Sequence, residues 1–164
     1  MKLSTRGRYG LRAVVDIAVH GKGEAVAISS IAERQNISAK FLEQLIAKLK
    51  RAGIVTSMRG AQGGYRLAKS PDQISVGEIL RVLEGDLNPV DCSEVTGDAG
   101  SCDGGVTCSG AGQCVTKIVW KRISDSINNA VDHLMLSELI EDGNSDKEGF
   151  LQADDSAEGE EVHG

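Results

Sequence analysis

The sequence predicts a mainly α protein with a small β-hairpin wing: a winged helix-turn-helix followed by a long dimerisation helix. Three observations carry this expectation. Two short amphipathic segments separated by about three residues lie between Ser29 and Gly53. Two short strand-like runs flank the glycine-rich stretch Arg59-Gly60-Ala61-Gln62-Gly63-Gly64. After residue 116, apolar residues return at alternating steps of three and four, the period of an α-helical face. Of the 164 residues, 40% are hydrophobic but only 3% are aromatic, so the core must be aliphatic, which favours packed helices over a large sandwich. The expected order is a DNA-binding domain at 1–85, a cysteine-rich loop at 86–115, a dimerisation helix and following segment at 116–140, and a disordered acidic tail at 141–164.

Leu11, Val14, Val15, Ala18 and Val19 share one helical face, which predicts a first helix over about 5–20, closed by Gly21-Lys22-Gly23. Ser29 is a suitable N-cap for a short helix from Ile31 to Gln35, because its hydroxyl can accept from a free backbone N–H. Asn36 stops that helix, and Ser38 opens the next, whose apolar stripe is Phe41, Leu42, Leu45, Ile46 and Leu49, ending at Gly53. Ile54 to Met58 and Tyr65 to Leu67 are the two strands of the wing. Pro71 breaks the chain, and Val76, Ile79, Leu80, Val82 and Leu83 predict a helix ending at Gly85. From Asn88 to Gln113 there is no helical period and much glycine, which reads as a loop; a loop of this length is usually functional or disordered. Trp120, Ile123, Ile127, Ala130 and Leu134, widened by Val119 and Val131, predict a helix from Thr116 to about Leu136. That stripe is long for so small a domain and is expected to pack on a second copy, the alternative being its own domain. From Glu141 onward nine acidic residues face one lysine, the composition of a disordered tail.

The net charge of −6 conceals an asymmetry. Residues 1–70 hold 13 Lys/Arg and 4 Asp/Glu, a balance of +9, whereas residues 71–164 hold 5 and 20, a balance of −15. A basic half joined to an acidic half points to a domain that binds a polyanion, and the helix-turn-helix specifies double-stranded DNA. A recognition helix must offer short polar groups to base edges while nearby cations neutralise phosphates. Ser38, Lys40, Glu43 and Gln44 occupy the first two turns of the second short helix, the part that enters the major groove in this motif. Gln44 suits adenine, and Glu43 can accept from cytosine while repelling phosphates. Arg59 and Gly60 stand at the wing tip, where the arginine can enter a minor groove. Arg6, Arg8, Lys48, Lys50 and Arg51 are candidate phosphate contacts. No catalytic acid–base or nucleophile set stands out, so an enzyme is not expected. The first residues lead into a charged stretch, and no apolar run approaches 18 residues, so neither a secretory leader nor a membrane span is expected and the protein is placed in the cytoplasm.

Four cysteines fall within the loop, spaced Cys92-x9-Cys102-x5-Cys108-x5-Cys114. In a reducing compartment such clustering points to metal or redox chemistry more than to a disulfide. The absence of a CxxC pair lowers the case for a zinc ribbon or a thioredoxin-like motif. Thiolates suit iron–sulfur clusters and zinc alike, and the spacing leaves an iron–sulfur cluster, zinc, a thiol redox switch and inert thiols open, in that order of preference.

The start MKLSTRGRYGLRA, the run IAERQNISAKFLEQLIAKLKRAGIV, the wing SMRGAQGGY and the later segment CVTKIVWKRISD resemble the IscR-like regulators of iron–sulfur cluster biogenesis. The resemblance covers about residues 1–140. It implies a homodimeric transcription regulator, often a repressor, holding a [2Fe–2S] cluster through three cysteines and a weaker fourth ligand, with cluster occupancy altering which promoters are bound. It also implies contact with cluster-assembly proteins. Cys92 and Cys114 match the family's first and last cysteines. For the third, Cys108 stands at the family's six-residue step before Cys114, while Cys102 follows the family-like Gly100-Ser101. The chain departs from the pattern in its additional cysteine and in Lys117, which stands where better-known members carry a histidine ligand. The fourth ligand is then the additional cysteine or a group outside the loop. Cluster-free relatives read cysteine metabolism through partner proteins, and the four loop cysteines argue against that branch.

Overall fold

The computed structural model describes residues 3–89 and 115–142. Helices α1 (Thr5–Gly21), α2 (Ile28–Gln35) and α3 (Ala39–Arg51) are followed by an antiparallel hairpin, β1 (Val55–Met58) and β2 (Gly64–Leu67). A 3-10 turn at Pro71–Gln73 leads to α4 (Val76–Glu84), and the long helix α5 spans Val115–His133. Residues 136–142 are helical again. The mainly α fold with a hairpin wing is therefore as the sequence predicts. The four cysteines and residues 143–164 lie outside the described residues.

Caps explain most helix ends. Ser4 accepts from the Arg6 N–H at the start of α1, and Ser38 accepts from Phe41 N–H at 3.2 Å to open α3. Asn36 takes the left-handed conformation (φ 52°) that ends α2, and its N–H reaches the Ala32 and Glu33 carbonyls. The αL region is one that asparagine enters more readily than most residues. One boundary differs from expectation. Ser29 does not cap α2; the helix starts at Ile28, and Ala27 is its extended N-cap with no side-chain bond. The cause is tertiary. Val26 pairs with Tyr65 of the wing through two backbone bonds of 2.8 and 2.9 Å, which fixes the chain direction one residue before Ala27.

The core is aliphatic. Val14, Ile17, Ile31, Leu42, Leu45, Ile46, Leu49, Ile54, Val55, Ile74, Ile79 and Leu136 are almost wholly buried. Each such side chain contributes about 1.5–3 kcal/mol of transfer free energy. α1 runs against α4 so closely that a Cβ on Gly7 would come within 2.2 Å of a Glu84 carboxylate oxygen. That oxygen accepts from Ser4 N–H (3.0 Å), Ser4 Oγ (2.6 Å) and Gly7 N–H (2.8 Å), so a carboxylate 77–80 residues distant satisfies N–H groups that the start of α1 leaves without a helical partner.

The long helix is shorter than its periodicity suggests. It ends at His133, because Leu134 and Leu136 leave the helix to bond backbone-to-backbone with Val76 and Ile74 at 2.9 Å each. Ile127, Val131 and Leu134 pack against Val76, Leu80 and Leu87 on their own domain, whereas Ile118, Val119 and Ile123 remain 59%, 51% and 38% exposed. Glu141 and Asp142 belong to the last helical segment rather than to an unstructured tail.

Gly64 should not tolerate a side chain. A Cβ there would lie 2.3 Å from the Val26 carbonyl oxygen, a backbone atom that cannot swing away. Gly64→Ala should cost about 1–3 kcal/mol, the range for overpacking, measured by urea unfolding. An unchanged midpoint would show that the wing is free to shift from α2.

Candidate nucleic-acid interface

α3 divides cleanly. Leu42, Leu45, Ile46 and Leu49 are buried, and Phe41 is half-buried. Ser38, Lys40, Glu43 and Gln44 are all exposed, so the predicted reading residues share the outer face. Ser38 spends its oxygen lone pair on the cap but keeps its hydroxyl proton as a donor. At the wing, Arg59 and Gly60 are exposed, and Gly60 adopts φ 119°, a conformation that favours glycine. Met58 beside them is 43% exposed. Lys50 donates to Ser57 Oγ at 2.7 Å, tying the end of α3 to β1. Arg6, Arg8 and Arg51 are exposed, and Lys48 is half-buried.

Behind this face is a polar network that sequence reasoning missed. Asp16 of α1 has a fully buried side chain. Its carboxylate accepts from Arg34 Nε (3.0 and 3.2 Å), Arg34 Nη2 (2.6 Å) and Gln35 Nε2 (2.7 Å), both from the last turn of α2. His20 Nδ1 lies 3.5 Å from the same carboxylate. Burial pushes the Asp16 carboxyl up, but the Arg34 and Gln35 hydrogen bonds and the Arg34 charge outweigh it and hold the group below its ordinary value. A signal was available: Asp16 interrupts the apolar face of α1 between Ala13 and Ile17. A charge there needs a partner, because an unpaired buried charge is too costly.

A second network joins α4 to α5. Arg81 donates to both Asp132 oxygens (2.6 and 2.9 Å) and to Asn128 Oδ1 (2.7 Å). Hydrogen bonding from Arg81 holds the Asp132 carboxyl below its ordinary value. Ser124 on α5 donates to Asn88 Oδ1, and Leu87 is buried against α4. Leu87 and Asn88, which precede the cysteine-bearing stretch, thus sit at the α4–α5 seam. Among the described residues no group of three or more His, Cys, Asp or Glu converges as a metal site, and the four candidate ligands lie outside them.

Residues 3–142 match a family described as Rrf2, iron-dependent transcriptional regulator. The chain belongs to the Rrf2 family. It is 39% identical over 142 residues to the HTH-type transcriptional regulator IscR of Aliivibrio salmonicida, covering 87% of this chain and 79% of that protein. Among solved structures it resembles T. potens IscR (42% identity, TM-score 0.67, covering 87% of this chain and 88% of that one). It also resembles CymR, the global cysteine regulator of B. subtilis (35% identity, TM-score 0.71, covering 86% and 97%). The resemblance to IscR-like regulators seen in the sequence is thus confirmed. This Rrf2 protein is an IscR-like helix-turn-helix transcriptional regulator and not an enzyme. No described helix is long and apolar enough to cross a membrane.

Because the folded-state Asp16 carboxyl titrates below its ordinary value of 3.8, its ion pair is fully present above that pH and is lost as pH falls through the lowered value. Asp16→Asn should therefore cost about 2–3 kcal/mol at pH 7, the range for hydrogen bonds to a charged group. The gap to wild type should narrow as pH falls below about 4. Denaturant unfolding at both pH values measures this, and a gap independent of pH would exclude an ionised Asp16.

Proposed function

We propose that this protein is a homodimeric, cytoplasmic regulator that reads DNA through α3 and the wing and holds a [2Fe–2S] cluster through cysteines of residues 86–115, controlling genes of iron–sulfur cluster biogenesis or related stress. The observation that carries it is a combination. A helix-turn-helix with an outward polar face is followed in the chain, beyond Leu87 and Asn88 at the α4–α5 seam, by a stretch holding four thiols.

The donor set fits the group. Thiolates are the usual ligands of iron–sulfur clusters, and Cys92, Cys102, Cys108 and Cys114 supply one more than a three-cysteine site requires. When bound, the cluster would supply an electron-accepting centre. The chain's part is to anchor the segment that leads into the thiol-bearing stretch, Leu87 against α4 and Asn88 against Ser124 of α5. Dimerisation follows from α5. Its C-terminal half is satisfied within the subunit, but Ile118, Val119 and Ile123 of the N-terminal half form an uncovered apolar face, which a second copy would bury. Two subunits then present two α3 helices and two wings, as twofold DNA sites require. In the same reading, Arg59 enters a minor groove, Arg6 and Arg8 neutralise phosphates, and Glu43 makes recognition discriminating by accepting from cytosine.

Arg59→Ala should weaken binding to a selected duplex by about 1–3 kcal/mol, the cost of losing a good base-edge contact. Gel-shift titration at physiological salt measures it, and unchanged affinity would remove Arg59 from the interface.

Anaerobically purified protein should be coloured and sediment as a dimer. Cys114→Ala should be colourless, folded and still dimeric. Replacing each of the other three cysteines in turn identifies the donors: colour lost in all three means four-cysteine ligation, and one tolerated replacement means that a group outside the loop completes the site. Colourless wild-type protein with stoichiometric zinc would instead support the zinc reading, and a monomeric wild type would reject the role given to Ile118, Val119 and Ile123.

A further inference from the structure

Three residues of α1, spaced at helical intervals, touch both helices of the helix-turn-helix. Asp16 accepts from Gln35 Nε2 at 2.7 Å, and Gln35 Oε1 accepts from Arg12 Nε at 2.8 Å. The Arg12 guanidinium sits 5.4 Å from the centre of the Tyr9 ring. Tyr9 in turn meets Phe41, in the first turn of α3, edge to face, with ring centres 6.3 Å apart and planes at 87°. Gln35 is the last residue of α2, and Phe41 follows the Ser38 cap of α3. The stripe therefore grips the connection between the two helices from both ends.

We infer that Tyr9, Arg12 and Asp16 are positioning residues for sequence recognition: through Gln35 and Phe41 they set the angle at which α3 presents Lys40, Glu43 and Gln44. Each link is directional in a way that aliphatic packing is not. Asp16 takes a fork from Arg34 and a single bond from Gln35, which fixes the rotation of the last turn of α2. The edge-to-face ring pair fixes the side-to-side placement of the first turn of α3. Leucines and isoleucines on the buried face of α3 provide cohesion but tolerate small rotations; polar contacts with fixed geometry do not. A rotation of α3 by a few tens of degrees would move base-reading groups by ångströms while leaving surface cations close enough to phosphates to bind. Arg12 is basic and exposed, so the competing explanation is that it is one more phosphate contact.

The inference rests on α3 being the recognition helix, and the test separates the two. The probes are the duplex that wild-type protein enriches most from a random-sequence library and a scrambled duplex of equal length and composition. Gln35→Leu breaks the stripe without altering charge, and Arg12→Lys keeps the cation but loses the Nε–H that meets Gln35 Oε1 and the planar guanidinium over the Tyr9 ring. Both should lower the ratio of specific to non-specific affinity about tenfold, leave scrambled-duplex binding within about twofold, and leave the salt dependence of non-specific binding unchanged. Urea midpoints establish that each variant is folded at the assay temperature; should Gln35→Leu not fold, Arg12→Lys carries the test, since it replaces an exposed side chain. Gln44→Ala is the control for α3. If it alters the enriched sequence while Gln35→Leu and Arg12→Lys keep the wild-type ratio, the positioning role is overturned and α3 stands. If Gln44→Ala leaves the enriched sequence unchanged, the reading of α3 falls, and the inference with it. If Arg12→Leu weakens both duplexes equally and reduces the salt slope by about one, Arg12 is a phosphate contact and the stripe is not a positioning device.

Discussion

Burying one face of α3 is the constraint from which the rest of the molecule follows. Leu42, Leu45, Ile46 and Leu49 are 0–1% exposed, and they meet residues from α1, the wing strand and α4 in one aliphatic cluster. With only two Phe, two Tyr and one Trp in the chain, no large ring fills the interior, so the branched aliphatics must fit closely. Once that face is committed, the helical period leaves Lys40, Glu43 and Gln44 no place but the surface. The packed face and the polar face proposed to read DNA are thus opposite sides of one helix.

α4 distributes this constraint to the rest of the chain. Its last residue, Glu84, satisfies the N-terminus of α1, where Arg6 and Arg8 stand. Arg81, one turn earlier, holds α5 through Asp132 and Asn128. Its first residue, Val76, bonds to Leu134 after α5 ends. A nine-residue helix therefore touches the start of α1, the C-terminal half of the long helix and Leu87, which precedes the cysteine-bearing stretch. Only Gly85 to Leu87 separate α4 from Asn88, which accepts from Ser124 of α5.

Charge follows the same division of labour. The excess of cations in residues 1–70 suits polyanion binding, yet not every cation there is free for it. Arg34 is bound to buried Asp16, and Lys50 donates to Ser57 within the fold. Counting basic residues would overstate the number of phosphate contacts, and structural roles account for the difference.

The sequence alone determined the order and type of α1 to α5 and the wing strands, because these rest on local rules: the 3.6-residue period of α1, α3 and α4, the caps Ser38 and Asn36, and the glycines of the wing tip. It also determined which face of α3 is polar, and, through its resemblance to IscR-like regulators, the family. It did not reveal that α2 begins at Ile28, since the Val26–Tyr65 pairing that sets this start joins residues 39 positions apart. Nor did it reveal that α5 stops at His133. The apolar period continues to Leu134, but the backbone of that residue is taken by Val76, and a pairing between distant segments leaves no trace in local periodicity. The Asp16–Arg34–Gln35 network was half legible: a lone acid on an apolar face announces that a partner exists, but only the packing of α1 against α2 decides which side chain comes within 2.6 Å of it.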